Sequence, residues 1–222
     1  MDTKLTGKTR IESDLIGARE IPAEALYGVQ TLRGIENFSI SKFRLSEYPL
    51  FIKGLAITKM AAAMANFELG LLTVEQKDAI IAACGEIIDG KHHDHFPVDM
   101  IQGGAGTTTN MNANEVIANR ALELMGHERG EYQYCSPNDH VNCSQSTNDA
   151  YPTAIHIGMY FKHLQLLPHL EELIASFRKK GEEFSQIIKM GRTQLEDAVP
   201  MTLGQTFNGF ASILQVEIAH LN

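Results

Sequence analysis

A long amphipathic segment in the C-terminal half constrains the fold of this chain most. From Ala154 to about Ile188, large apolar side chains recur at spacings of three, four and seven residues, as on one face of a bundled helix. They are Leu166, Leu170, Leu173, Phe177, Phe184 and Ile188. A helix far longer than the ~12-residue average predicts a mainly α fold built on long bundled helices rather than a compact α/β domain. Pro168 is expected to bend or interrupt this helix near its middle.

The stretch that precedes this segment is strongly polar. Ser136 to Thr153 reads SPNDHVNCSQSTNDAYPT, and its centre, Gln145 to Asp149, carries two hydroxyls, two amides and one carboxylate. Asn148 or Asp149 is the expected N-cap of the following helix, which would put Pro152 in the first turn. Hydroxyl, amide and backbone N–H donors at the positive end of a helix suit a bound carboxylate. The alternative is an ordinary polar turn with a helix cap.

A second polar cluster lies upstream, where Gln102 to Asn114 reads QGGAGTTTNMNAN. Its three glycines and one alanine allow the backbone to approach a ligand closely. The helix NEVIANRALELMG is predicted to follow and to end at Gly126. The residues that lead into this helix are expected to point their hydroxyl and N–H groups in one direction, and they are Thr107, Thr108, Thr109 and Asn110. A phosphate loop is excluded because no Gly-Lys-Ser/Thr follows, and a dinucleotide site because there is no G-x-G-x-x-G after a β-rich segment. A plain glycine turn remains the alternative.

The third polar cluster is Met190 to Gln205, MGRTQLEDAVPMTLGQ. Arg192, Thr193 and Gln194 supply hydrogen-bond donors, and a short extended piece is predicted through Val199, Pro200 and Met201. A new helix is expected from about Thr202. Neither a cap, a glycine nor a proline closes it before Asn222, so the helix is expected to continue in a longer chain.

The N-terminal part combines an extended arm with two helices. Ile11 to Tyr27 alternates irregularly and is expected to form short strands or turns. A helix rich in Ala, Met and Leu is predicted from Pro49 to Gly70. Thr73 and Gln76 form a predicted capping box for a helix to about Asp89. The core face of that helix is predicted to carry Ile80, Ile81, Cys84, Ile87 and Ile88.

Composition narrows the possible partners and compartments. The formal net charge of −8 argues against binding to nucleic acid or to an anionic membrane surface. No apolar run reaches ~18 residues and the N-terminus lacks the apolar core of a signal peptide, so no membrane span or secretion is expected. Three cysteines without a C-x-x-C pair predict reduced thiols in a cytoplasmic protein. The run from Lys91 to His95 is expected to be a solvated loop rather than a metal site.

The three polar clusters together resemble motifs of the aspartase/fumarase superfamily. GGAGTTTNMNANE, SQSTNDAYPT and GRTQLEDAVPMTLGQ are similar to its first and second conserved regions, in the same order and at the same spacing. GAGT and TQLEDAVPMTLGQ are more similar to the ammonia-lyase branch than to the fumarase branch. The resemblance implies an N-terminal mainly helical domain over residues 1–144 and the start of a central long-helix bundle over 145–222. It also implies a homotetramer whose active sites each combine three subunits.

The activity that the resemblance implies is elimination of ammonia from L-aspartate to give fumarate. It places the substrate's β-carboxylate on Thr107, Ser146 and Thr147, the amino group near Asn148 and the α-carboxylate near Thr193. Gln194 would stand where fumarases carry a histidine. The alternatives are a fumarate hydratase, which uses the same carboxylate site, and a helical scaffold without activity.

Three departures from the family pattern affect this expectation. Ser136 stands where fumarases have histidine, which puts a second carboxylate site there in doubt, and Cys143 stands where relatives often have lysine. The family's G-S-S-x-M-P-x-K-x-N loop, with the serine that acts as general base, does not occur in this sequence. No catalytic base is therefore expected within it, and the chain by itself is expected to be inactive. No cofactor is implied; Mg²⁺ activation is conceivable, but the sequence offers no ligand set for it.

Overall fold

The computed structural model describes residues 7–104 and 106–221 and confirms a mainly α fold. The chain divides into two compact units, Met1–Met159 and Tyr160–Asn222. Each unit is described by itself. The domain boundary at residue 144 that the resemblance implies stays a prediction.

The first unit begins with a β-hairpin in the region predicted to be an extended arm. Strands β1 (Thr9–Asp14) and β2 (Gly17–Pro22) pair antiparallel, with Thr9 opposite Pro22. Arg10 fastens the chain after the hairpin, because its guanidinium donates to the carbonyls of Ala25 (2.7 Å) and Tyr27 (2.8 Å). The arm is therefore held to the body of the unit by a side chain of its own first strand.

Four helices and their connections form the rest of the first unit's core. They are α1 (Val29–Asn37), α2 (Pro49–Glu68), α3 (Val74–Ile88) and α4 (Thr107–Leu124). The predicted capping box of α3 is confirmed: the Gln76 N–H donates to Thr73 Oγ1 and the Thr73 N–H to Gln76 Oε1. The main apolar core draws on three of these helices and on the connections between them, and it includes Leu45, Ile52, Leu55, Ile80, Ile87, Phe96, Val116, Ile117 and Leu122.

Helix α2 is long and apolar enough to cross a membrane on length and composition alone. In the first unit, however, Ile52, Leu55, Ala56 and Ala63 on this helix are buried in the core. We therefore interpret α2 as a core helix of the unit. Its buried face also contains one charged residue, Lys59.

The histidine run after α3 differs from the solvated loop predicted for it. His95 is buried, its Nδ1 accepts the N–H of Leu26 (3.2 Å), and burial lowers its pKa. His93 Nε2 lies 2.9 Å from the carbonyl oxygen of Ile87. These contacts are structural and join the hairpin region to the end of α3. Among the described residues, no group of three or more His, Cys, Asp or Glu side chains is arranged to hold a metal ion.

Helix α5 spans Thr147–Glu183 and contributes residues to both units. The sequence correctly predicted a long helix here, but the helix is continuous through Pro168 and ends before Ile188. Proline removes one N–H donor and crowds one carbonyl, and the intact turns on both sides of Pro168 keep the helix continuous. The chain after Glu183 turns and enters a strand at Ile188.

The second unit packs the later part of α5 with a hairpin and a further helix. Strands β3 (Ile188–Thr193) and β4 (Glu196–Thr202) pair antiparallel, and α6 (Leu203–Leu221) follows directly. The extended piece through Val199–Met201 and the helix start near Thr202 are both confirmed. Ile174, Ala211 and Ile218 are buried against one another, and an aromatic cluster extends this core with Phe177, Phe184, Phe207 and Phe210.

Candidate active site

The starts of α4 and α5 lie together in the first unit, on one side of an open cleft of about 600 Å³. The cleft is lined by Met100, Ile101, Gln102, Gly104, Gly106, Asn148, Tyr151 and Pro152. Two of the three polar clusters found in the sequence thus converge within one chain. This convergence follows from the packing of α5 on the core and not from closeness in sequence.

Ser146 caps α5, in place of the Asn148 or Asp149 cap predicted from the sequence. The N–H of Asn148 donates to Ser146 Oγ (3.2 Å), and the N–H of Ala150 donates to the Ser146 carbonyl (3.0 Å). Pro152 consequently falls in the second turn rather than in the first. Ser146 and Asn148 are exposed and Thr147 is half-buried, so the polar face of this helix start is accessible to a ligand.

The start of α4 requires glycine at position 106. Gly106 is the N-cap residue with φ of 89°, a backbone conformation that favours glycine. A Cβ atom there would lie 2.3 Å from Cδ2 of Tyr151, which is on α5. The glycine therefore lets the two helix starts approach closely. Ala105, which belongs to the predicted glycine-rich stretch, lies outside the described residues.

The sequence predicted that the threonines of the second cluster face one way, but in the structure they do not. The helix begins at Thr107 rather than at Asn114. Thr109 is buried, where its Oγ1 accepts from Gln102 Nε2 (2.6 Å) and its N–H donates to Gln102 Oε1 (2.8 Å). Thr108 packs its methyl group against Gly34. Thr107 alone of the three is exposed. The most accessible hydroxyl of the cluster is thus the one predicted to bind substrate.

Behind Thr147 lies a buried polar network that the sequence analysis missed. Asn110 Nδ2 donates to Thr147 Oγ1 and to Asn142 Oδ1, both at 3.1 Å. Lys59 Nζ donates to the same Asn142 oxygen at 2.8 Å. Burial lowers the pKa of Lys59 to about 7. The available signal was a lysine in the middle of an otherwise apolar stretch of α2.

The Ser136 hydroxyl and the backbone N–H groups near it are used in hydrogen bonds within this loop. Ser136 Oγ donates to Asp139 Oδ2 (2.9 Å) and accepts the N–H groups of Asn138 and Asp139. The Ser136 N–H donates to Nδ1 of His140, whose pKa is lowered by burial. These bonds cap a single π-helical turn, Pro137–Val141. Ser136 is therefore a structural residue of the loop that leads to Thr147.

Thr193 and Gln194 lie at the tip of the β3–β4 hairpin in the second unit and are exposed. Gln194 and Leu195 both have positive φ, 51° and 69°, which is uncommon for residues other than glycine. Positive φ at both central residues is what a two-residue type I′ hairpin turn requires, and Thr193 pairs with Glu196 across this turn. Arg192 pairs with Asp197 across the hairpin (3.2 Å), so its charge is partly engaged.

The cleft is suited to an anion held by neutral donors. Of the described residues that line it, none carries an imidazole, a carboxylate or an ammonium group. The side-chain amide of Gln102 is hydrogen-bonded to Thr109, whereas the side chains of Asn148 and Ser146 are exposed and accessible to a ligand. Burial raises the pKa of Tyr151, so this phenol stays a neutral hydrogen-bonding group. The arrangement can bind and orient a carboxylate, but the described lining contains no evident general base.

Comparison with known proteins gives one consistent family. A family model described as "Lyase" matches residues 17–222. The aspartate ammonia-lyase of Pseudomonas canavaninivorans is 59% identical over 212 residues, which cover 96% of this chain and 45% of that protein. The aspartate ammonia-lyase of Escherichia coli (strain K12) is 55% identical over 218 residues, 98% of this chain and 46% of that protein.

Solved structures agree with the sequence comparison. A fumarate lyase:delta crystallin structure from Brucella melitensis superposes with a TM-score of 0.91 at 53% identity, covering 96% of this chain and 46% of that one. A class II fumarase from Schistosoma mansoni gives a TM-score of 0.86 at 39% identity, covering 96% and 44%. The chain spans about half the length of the curated relatives it matches.

Proposed function

This chain belongs to the lyase family, in the aspartase/fumarase superfamily, and from that membership we propose that it is the N-terminal part of an aspartate ammonia-lyase. The reaction is the reversible elimination of ammonia from L-aspartate to give fumarate. The identities favour this activity over fumarate hydration: they are 59% and 55% to two aspartate ammonia-lyases and 39% to a class II fumarase.

The observation that carries the proposal is the junction of the two helix starts at the cleft. The Asn110–Thr147 hydrogen bond of 3.1 Å joins α4 to the first residue of α5, beside Gly106 and Asn148. Removal of the C3 proton of aspartate pushes negative charge onto the β-carboxylate and gives an aci-carboxylate. Neutral donors and helix N-termini that are fixed in advance stabilise such developing charge, at about 3 kcal/mol for a well-placed donor.

The proposed substrate contacts are those that the family resemblance implies, in the assembled protein. Thr107, Ser146 and Thr147 bind the β-carboxylate and Asn148 lies near the amino group. From the hairpin tip, Thr193 binds the α-carboxylate and Gln194 takes the place of the fumarase histidine. Fixed neutral donors can stabilise the negative charge that grows on the β-carboxylate in the transition state more than they stabilise the bound substrate. The general base is supplied from outside this chain, and no cofactor is assigned.

The complete protein is proposed to be a cytoplasmic homotetramer that combines parts of three subunits at each active site. The long helices of the second unit support this assembly because they expose many large apolar side chains, which is typical of an interaction surface. They are Tyr160, Leu164, Leu166, Leu173, Phe210, Ile213 and Val216. The bundle domain is proposed to begin at residue 145, and the enzyme to act in amino-acid metabolism.

A comparison of substrates tests the activity. In a complete polypeptide that contains this chain, we expect fumarate to form from L-aspartate and to be followed by its ultraviolet absorbance. L-malate should give at least about 100-fold less fumarate, since a site that fits one leaving group binds the other's transition state poorly. Preferred turnover of L-malate would instead support the fumarate hydratase alternative. Turnover of neither substrate would support a scaffold without activity.

A further inference from the structure

Lys59 is a buried lysine that the proposed mechanism does not use. Its side chain is fully buried on α2, and Nζ donates to Asn142 Oδ1 (2.8 Å) and Gln145 Oε1 (3.0 Å). Within the described part of the chain, no carboxylate contributes to the electrostatics of Lys59. Burying an unpaired charge is costly, and an apolar residue of similar size would often be at least as stable there. The lysine therefore calls for a role other than packing.

The contacts of Lys59 impose a direction on the neighbouring amides. In its protonated form Lys59 donates hydrogen bonds and accepts none, so Asn142 and Gln145 turn their oxygens toward it. The other ends of both amides agree with this orientation, since Asn142 Nδ2 donates to the Gln145 carbonyl (3.0 Å) and Gln145 Nε2 to the Val141 carbonyl (2.8 Å). With its oxygen fixed, Asn142 can only accept from Asn110.

Asn110 links Asn142 to Thr147 at the start of α5. Its NH₂ group donates to Asn142 Oδ1 and to Thr147 Oγ1, each at 3.1 Å, whereas its own Oδ1 is buried and has no hydrogen-bond partner among the described residues. Turned the other way, Asn110 would satisfy that oxygen by accepting the Thr147 hydroxyl proton. The observed orientation leaves a buried acceptor unpaired, and must be imposed from outside Asn110.

We propose that Lys59 is a positioning residue that sets the direction of the hydrogen-bond chain through Asn142 and Asn110, so that the Thr147 hydroxyl accepts from Asn110 and keeps its own proton free to donate to the substrate. The inference rests on the proposed function, in which that proton binds the β-carboxylate. Without Lys59, the side-chain amides of Asn142 and Asn110 can both rotate so that their oxygen and nitrogen atoms exchange places. The Thr147 hydroxyl then donates backward to Asn110 and is lost to the substrate. Linked bonds of this kind also strengthen one another.

The test is a double-mutant cycle between Lys59→Met and Thr147→Val in the complete polypeptide. Methionine is unbranched and flexible enough to fill the space of the lysine stem without its donors. We expect Lys59→Met alone to lower kcat for L-aspartate by about 10- to 100-fold, since an oriented donor is worth that much or more. In the Thr147→Val background, the same change should alter kcat by less than about 2-fold, because the two act through one hydroxyl. The inhibition constant of succinate should change less than kcat.

The matched control is Asn66→Leu. Asn66 is also buried on α2, and its Nδ2 donates to the Cys143 carbonyl (2.8 Å), in the same loop as Asn142 and Gln145 but outside the chain that leads to Thr147. Its loss should reduce kcat much less than Lys59→Met does. Equal losses in the two variants would mean that Lys59 only anchors the loop, and would overturn the proposal. Independent, multiplicative effects of Lys59→Met and Thr147→Val would do the same.

A second variant covers the case in which Lys59→Met does not fold. Lys59→Gln keeps a polar side chain that both donates and accepts, so it no longer enforces a direction, and a folded protein with lowered kcat is expected. Full activity in a folded Lys59→Gln protein, or loss of folding in both variants, would refute a positioning role. The proposed function is judged separately, on whether the unmodified protein converts L-aspartate at all.

Discussion

Gly106→Ala is expected to be strongly destabilising because two separate effects coincide at this position. The φ angle of 89° lies in the left-handed region, which costs a residue with a Cβ about 1–2 kcal/mol. The new Cβ would also lie 2.3 Å from Cδ2 of Tyr151, where ordinary contacts begin near 3.4 Å. Overpacking of this kind costs about 1–3 kcal/mol. Together the two effects predict a loss of about 2–5 kcal/mol.

Three other glycines separate the two effects. Gly126 has φ of 82° and open space around it, so alanine there measures backbone strain alone. Gly54 is helical, but its Cβ would lie 2.2 Å from the carbonyl oxygen of Ala154, so alanine there measures the clash alone. Gly85 is helical with nothing within 4 Å, and Gly85→Ala is expected to stabilise the protein by about 0.4–1 kcal/mol.

The assay is chemical denaturation of the four alanine variants, combined with fumarate formation from L-aspartate. Gly106→Ala should lose more stability than Gly126→Ala. It should also lose turnover under conditions where it remains folded, because displacing Tyr151 disturbs its edge-to-face contact with Phe51 and the start of α5. If Gly106→Ala matched Gly126→Ala in stability and kept full turnover, the close contact between Gly106 and Tyr151 would not be what holds the two helix starts together.

Three further predictions concern single groups. Thr147→Val should keep the fold and lower kcat by ~10²-fold or more, whereas Thr108→Val, whose methyl group packs against Gly34, should stay near the unmodified rate; equal rates in both would remove Thr147 from the mechanism. Burial lowers the pKa of Lys59 from 10.5 to about 7. Between these two pH values the unfolded chain binds more protons than the folded one, so the free energy of unfolding rises with pH, by up to ~1.4 kcal/mol per pH unit. Denaturant midpoints of Lys59→Met against pH should lack that rise, and parallel curves would contradict the burial of an unpaired ammonium. The 222-residue chain alone should form no fumarate, and steady turnover that follows its concentration would mean that it contains a base.

The sequence by itself determined the elements whose signals are local. The capping box at Thr73, the end of α2 before Gly70, the strand through Val199–Met201 and the long helix after Ala154 follow from side chains within a few residues of each other. Periodicity and capping chemistry act over one or two turns, so one sequence is enough to find them. The three polar clusters, which carry the family resemblance, were visible for the same reason.

Only the tertiary structure decided which of those polar groups are exposed and which are used in packing. Thr108 and Thr109 have the same local sequence signal as Thr107, yet contacts with Gly34 and Gln102 assign them to packing. The start of α4 is set by a left-handed Gly106 pressed against Tyr151, far along the chain.

The network behind Thr147 was decided in the same way. It joins Lys59, Asn110 and Asn142, whose side chains meet only when α2, α4 and the loop before α5 pack together. A lysine within the apolar stretch of α2 is the one local signal, and it does not identify the partners, because the free energy of burying and pairing a polar side chain depends on neighbours that folding brings from elsewhere.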